Sequence, residues 1–312
     1  MSDTPALDVA GVSHRYGERL ALDQVTFQVG SGEVFGLLGP NGGGKTTLFK
    51  LLGTLMPLQQ GTVRVFGADL VAQQDAVRSA IGVTFQSPSL DAKLTVGENL
   101  KFQGYLYGLS GRTLQERIDQ LTEALGIRDR LKEIAEKLSG GLKRRVEIAK
   151  SLLHHPRLLL LDEPSTGLDP GARHDLWKYL RSLRDTLGVT VLVTTHLMDE
   201  ADRCHRLGIL NHGRLIALGT PAELRAEVGG DCITIESDSP EALSAGLKET
   251  FGLDPQFVGG VLRIEQAEGH HLVRDIVAKF PDAVQTISLG RPTLEDVFIR
   301  QTGHRFWDEA PK

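Results

Sequence analysis

The segment Gly39-Pro40-Asn41-Gly42-Gly43-Gly44-Lys45-Thr46 constrains this chain more than any other. It fits the pattern GxxxxGK[ST], follows the apolar run Val34 to Leu38, and precedes a helical stretch. In that setting the glycines let the backbone curl so that successive N–H groups face a β-phosphate. The helix start adds its positive end, and Lys45 reaches the β and γ oxygens. Thr46 is the expected magnesium ligand, with Thr47 beside it in the nucleotide site. Strand before and helix after separate this loop from a plain glycine-rich turn.

Other short apolar runs, Leu158 to Leu161 and Val189 to Val193, alternate with longer helical segments, the pattern of buried parallel strands in an α/β domain. Leu121, Ala124 and Leu125, then Val146, Ile148, Ala149, Leu152 and Leu153, recur at helical spacing and predict at least two helices in mid-chain. The 312 residues are 40% hydrophobic and 24% charged, enough for one large or two moderate domains. No apolar stretch reaches the roughly 18 to 20 residues of a membrane span, and the N-terminus lacks the regions of a secretion signal, so the chain is expected in the cytosol. Cys204 and Cys232 form no CxxC pair and read as free thiols. A net charge of -5 disfavours a nucleic-acid partner, which usually meets a basic stripe.

Leu158-Leu159-Leu160-Leu161-Asp162-Glu163 is an apolar strand ending in two acids, at the sheet edge where such folds bind ligands. Asp162 then suits magnesium, and Glu163 suits the general base that activates water for attack on a γ-phosphate. Alone, the pair could be a solvated strand end; beside a phosphate loop it gains weight. Leu138-Ser139-Gly140-Gly141 precedes an amphipathic run, with Ser139 as N-cap and two glycines that leave N–H groups uncovered for an anion. Lys143, Arg144 and Arg145 in the first turn oppose the helix dipole, a conflict that a bound polyphosphate would relieve. A capped helix with a solvated basic face is the plainer reading of that stretch.

Taken together, and over Leu7 to about Leu224, these landmarks resemble the ATP-binding cassette (ABC) family in order and spacing. The resemblance implies a cassette with a mixed sheet and a helical subdomain at about 88–155. It implies that Tyr16 stacks on adenine, that Gln86 is the switch glutamine and a magnesium ligand, and that Ser139, Gly140 and Gly141 belong to the signature motif. Ser165 to Asp169 resembles the segment that crosses the dimer, placing Asp169 near nucleotide, and His196 resembles the histidine that contacts the γ-phosphate. Catalysis is thus expected of Glu163, His196 and Gln86, with ATP and magnesium bound. In that family two cassettes meet head to tail, so the partner is a second copy or a related cassette subunit, together with a membrane permease that holds the chain on the inner face of the membrane. DAKLTVGENLKFQGYLYGLSG, HLMDEADRCHRLGILNHGRLIALGTPAEL and RPTLEDVFIRQTG look like subunits of DrrA-type drug, lipid and polysaccharide exporters. Two positions depart from the common pattern, Leu142 where glutamine is frequent and Gly43 where alanine is. A soluble cassette ATPase acting on ribosomes or DNA usually carries two cassettes or a coiled-coil insertion, and a dead scaffold would lack Glu163 or His196.

After Gly229-Gly230 the pattern changes to strand, helix, hairpin, helix and strand, the order of a split βαβ, ferredoxin-like unit. Domains of 1–229 and 230–312 are expected, the second with Leu262, Ile264, Val273, Ile276, Val277 and Phe280 as core. The pairs His154-His155 and His270-His271 and the lone Trp307 read as loop and packing residues, because adjacent side chains do not converge on one ion.

Overall fold

The computed structural model describes residues 4–307. It divides into two compact units, Met1–Leu215 and Ile216–Lys312. The first begins with strands β1 (Leu7–Tyr16), β2 (Arg19–Val29) and β3 (Val34–Leu38), then α1 (Lys45–Leu52), β4 (Gln60–Val65), β5 (Ala68–Asp69), α2 (Gln74–Ala80) and β6 (Ile81–Thr84). Three helices follow, α3 (Val96–Leu106), α4 (Gly111–Ala124) and α5 (Gly140–Leu152). The chain returns through β7 (Leu158–Asp162), α6 (Pro170–Leu187), β8 (Thr190–Thr195), α7 (Met198–Ala201) and β9 (Arg206–Asn211), and the division falls within β10 (Arg214–Gly219).

The central sheet runs β10-β9-β3-β8-β7-β6, with β9, β3, β8, β7 and β6 paired in parallel. Strands β3, β7 and β8 are buried at every residue, as expected of strands covered on both faces. Side chains of successive strand residues point to opposite faces. Leu158 and Leu160 therefore join one core, with α1 and the antiparallel sheet β2-β1-β4-β5, while Leu159 and Leu161 join another, with the helices α3 to α6. Phe27 and Phe35 stack at 5.3 Å in the first of these cores. Antiparallel strands are implied by the resemblance to a mixed-sheet cassette but not by the local pattern, since β1 and β2 shift register between Val9 and Val12 and twice more before Arg15, which breaks the alternation that would announce them.

The second unit contains α8 (Pro221–Ala226), β11 (Asp231–Glu236), α9 (Pro240–Phe251), β12 (Gln256–Val258), β13 (Val261–Gln266), α10 (Gly269–Lys279), β14 (Thr286–Gly290) and α11 (Leu294–Thr302). Its sheet runs β12-β13-β11-β14, antiparallel throughout. The division falls upstream of the expected Gly229-Gly230 because α8, with buried Leu224 and Val228, packs on α11 within this unit. One core expectation is corrected: Val277 is 42% exposed, whereas Ile276 is buried and Phe280 packs on the same cluster. Ile276 and Phe280 are one helical turn apart and share the inward stripe, which leaves Val277 turned away. Among the described residues no helix is long and apolar enough to cross a membrane.

Candidate functional site

The turn from β3 into α1 builds the phosphate loop. Gly44, which precedes the helix, adopts φ +104°, and a Cβ there would stand 2.7 Å from the carbonyl oxygen of Ala21. Only glycine fits that conformation and approach, so the loop curls and the first N–H groups of α1 stay uncovered. Lys45 is buried, and its Nζ donates to the carbonyl oxygens of Gly39 at 2.7 Å and Pro40 at 3.0 Å. It also lies 3.3 Å from Oε1 of Glu163. Burial pushes the Lys45 pKa down, and the Glu163 carboxylate opposes that shift.

Glu163 stands one residue beyond β7 with a left-handed φ of +43°, a conformation that non-glycine residues hold only when the surroundings enforce it. Its N–H donates to Oγ1 of Thr194 at 2.9 Å, and that hydroxyl donates to Oδ1 of Asp162 at 2.6 Å. Oε2 of the same carboxylate accepts from Nε2 of Gln86 and from Oγ1 of Thr166, each at 3.3 Å, and lies 3.2 Å from Nδ1 of His196. Four side chains thus converge on one carboxylate: Lys45, Gln86, Thr166 and His196. Burial raises the pKa of Asp162. A divalent cation beside Asp162 would reverse that, since an adjacent positive charge favours the ionised carboxyl. The donor set of Asp162, the hydroxyl of Thr46 and the amide oxygen of Gln86 is all oxygen, which suits magnesium.

Asn41, Gly42, Gly44, Lys45, Thr46 and Thr47 line a cleft of about 360 Å³, with Gln86 and Glu163 on its wall. Tyr16 stands at the same cleft, 47% exposed, its hydroxyl donating to Sδ of Met56 at 3.2 Å and its ring edge-on to His14 at 4.9 Å. Such a recess offers an exposed aromatic ring, a curled N–H loop, a buried cation and a buried carboxylate, groups that suit the hydrolysis of a nucleoside triphosphate. Arg19 shares the cleft wall and was not expected from the sequence; it lies at the start of β2, an element with no periodic signal. Thr194, and the contact of Thr166 with Glu163, leave no sequence signal, since nothing in a single sequence reports which hydroxyls fold toward a carboxylate.

Ser139, Gly140, Gly141 and Asp169 do not line this cleft. Ser139 caps α5, accepting from the N–H of Leu142 at 3.3 Å, and Asp169 caps α6, accepting from the N–H of Ala172 at 2.9 Å. Ser139, Gly140 and Asp169 are exposed. The expected basic face of α5 is corrected: Arg144 is buried and donates to the carbonyl oxygens of Pro164 at 2.8 Å and Phe85 at 2.7 Å, and to Glu147 at 3.0 Å. Arg145 donates to the hydroxyl of Tyr179 at 3.1 Å. Arg144 thus braces the loops around Gln86 and Pro164, and Arg145 ties α5 to Tyr179 of α6, rather than awaiting an anion. Gly141 faces α6, where a Cβ would meet Cβ of Ala172 at 2.9 Å. Gly141→Ala is therefore expected to destabilise by about 1 kcal/mol, because overpacking outweighs the better helix propensity of alanine; a urea midpoint at or above wild type would refute this packing account.

Comparison with known proteins agrees with this geometry. The family model described as ABC transporter matches residues 22–166. The chain is 40% identical over 314 residues to the Nod factor export ATP-binding protein I of Sinorhizobium fredii (strain NBRC 101917 / NGR234), covering 97% of this chain and 88% of the relative. It is 37% identical to the daunorubicin/doxorubicin resistance ATP-binding protein DrrA of Streptomyces peucetius, with 96% and 93% covered. Among solved structures, cbiO1 from Clostridium perfringens, part of the cbiONQ ABC transporter complex, superposes with a TM-score of 0.67 at 27% identity over 80% of this chain and 97% of its own. The ADP conformation of MJ1267, an ATP-binding cassette of an ABC transporter, superposes with a TM-score of 0.64 at 27% identity, covering 70% and 92%. The chain belongs to the ABC transporter family, among its ATP-binding subunits, which are ATPases coupled to transport.

Proposed function

We propose that two such cassettes close head to tail around two ATP molecules and drive export through a separate transmembrane permease. The supporting observation is the split of the motif set. Phosphate loop, Tyr16, Gln86 and Glu163 share one cleft, while the exposed Ser139-Gly140 turn and Asp169 stand outside it. A second cassette, whether a copy of this chain or a related subunit, supplies those groups to the open side of the first. The relatives named for Nod factor export and for daunorubicin/doxorubicin resistance support outward transport.

In this mechanism the Glu163 carboxylate takes a proton from the attacking water as the new oxygen–phosphorus bond forms and the bond to the ADP oxygen breaks. Lys45 offsets the negative charge on the β and γ phosphates, and His196 and Gln86 hold the carboxylate and the γ-phosphate in register. Magnesium held by Thr46, Gln86 and Asp162 would neutralise charge across the phosphates. Tyr16 stacks on the adenine ring. Ser139, Gly140 and Gly141 present backbone N–H groups from the start of α5 to the partner's γ-phosphate. Leu142 packs against the helical core and leaves those contacts intact.

The permease docks on the helical side. Phe102, Tyr105 and Leu106 of α3 are 53%, 54% and 81% exposed, an apolar set that a cytosolic helix of a membrane protein would cover. Through that contact the chain sits in the cytoplasm on the inner face of the membrane. Nucleic acid has no part in this reading.

The head-to-tail arrangement is tested by mixing two inactive chains, Lys45→Ala and Gly140→Asp. A mixed dimer then holds one site with both defects and one site with neither, and ATP turnover should return on mixing. A mixture as inactive as its parts would contradict the arrangement.

The second unit has the strand order 4-1-3-2 of a ferredoxin-like fold, counting β11, β12, β13 and β14 as one to four, and we assign it as an accessory domain that pairs across the dimer. A chain ending at Gly219 keeps β10 and should stay folded with nucleotide binding intact. A chain ending at Gly229 carries α8 without α11 and should aggregate more, since Leu224 and Val228 lose their cover. Equal solubility of the two truncations, by sedimentation, would refute that boundary.

A further inference from the structure

At the opposite end of the parallel sheet lies a second cleft, of about 390 Å³, that no part of the ATP site uses. It opens at the starts of β7 and β8, beside Arg157 and Thr190, whereas Asp162 and Glu163 stand at the far end of β7. A five-residue strand is about 17 Å long, so the two clefts are separate places on the unit.

Its charge is one-sided. Arg117, His155 and Arg157 line it, and among the described residues no aspartate or glutamate does. Arg117 is only 6% exposed. Its guanidinium donates to the carbonyl oxygens of Leu152 at 3.0 Å and Leu153 at 3.4 Å and to Oε1 of Gln120 at 2.6 Å, none of them an anion. A guanidinium has five N–H groups, so two remain for a ligand. Burial draws the Arg117 pKa down to about 10, which leaves it charged at neutral pH. A buried charge without an opposite partner is costly, and an anionic ligand would supply that partner.

Arg157 is positioned differently. Its guanidinium lies 3.7 Å over the ring of Phe66, a stack that fixes the plane and keeps the N–H edge for acceptors. Leu187 and Val189 add apolar wall beyond the two arginines. The volume lies in the range of small-molecule sites and exceeds what one phosphate fills.

We infer that this cleft binds a phosphate-class oxyanion, free or as the head of a phosphorylated small molecule, with Arg117 and Arg157 as its counter-charges. Planar donor forks suit the oxygens of such a group, and the apolar wall suits an organic remainder.

The test is calorimetric titration of the full chain carrying Lys45→Ala, which weakens phosphate binding at the ATP site, with inorganic phosphate and with phenyl phosphate at constant ionic strength. Saturable binding is expected. Arg157→Gln in the same background should weaken it by about tenfold or more, as loss of a charge-assisted contact does. Arg157 is exposed, so this variant should fold as its parent does, which circular dichroism checks; Arg117→Met, at a buried position, serves only as a second variant. Tighter binding of phenyl phosphate would identify an organic phosphate and equal binding free phosphate, and both uphold the site. Absence of saturable binding up to about 10 mM of either probe, or an affinity that Arg157→Gln leaves unchanged, would overturn it.

Discussion

Glu163→Gln is expected to lower ATP turnover about 100-fold or more while ATP remains bound. The amide keeps the shape of the carboxylate and its place beside Gln86 and Thr166, so the cleft is preserved, but it cannot accept the proton of the attacking water. Binding should hold or tighten for a second reason. Nζ of Lys45 lies 3.3 Å from the Glu163 carboxylate, and the γ-phosphate would enter beside that carboxylate. Removing one negative charge removes a like-charge repulsion from the ATP-bound state and leaves Lys45 to pair with the phosphates. Single-turnover kinetics separates binding from chemistry; near wild-type turnover would take Glu163 out of the base role.

Lys45→Ala should act on affinity itself, weakening ATP binding by about 10- to 100-fold, the range of a lost charge-assisted hydrogen bond. Lys45 also donates to Gly39 and Pro40, so its loss frees two carbonyl oxygens that help hold the loop's curl. A second effect follows for Glu163, which loses its nearest cation inside a buried site. Titration with a fluorescent ATP analogue measures the loss, and unchanged affinity would mean that the nucleotide's phosphates lie elsewhere.

How far the sequence could be read depended on what each residue's signal reports. Strands β3, β7 and β8 were legible because burial on both faces makes them continuous apolar runs, and the glycine pattern before Lys45 states its own backbone requirement. The antiparallel sheet was not, since the bulges in β1 and β2 break its alternation. Helix α11 carries little periodic signal, although Thr293 and Asp296 cap it reciprocally, because it is only nine residues long. In the site, residue identity and order pointed to Lys45, Asp162, Glu163, Gln86 and His196. Position along the chain could not show that Glu163 sits at φ +43° or that Thr194 ties it to Asp162. Arg144 shows the limit most plainly. Its place in a first turn suggests an exposed charge, yet the loops after β6 and β7 fold over it and give it two carbonyl acceptors, beside Glu147 of its own helix. Long-range closure of that kind leaves no mark in a local window.

The central claim is that ATP joins two cassettes, each completing the other's site. The most direct measurement is the mass in solution of the Glu163→Gln chain, by light scattering during size exclusion, with and without saturating ATP and magnesium. The account predicts one chain's mass without nucleotide and twice that mass with it, the shift abolished when Lys45→Ala is added. A chain that binds ATP with full stoichiometry yet keeps the mass of one chain at every concentration tested would contradict it.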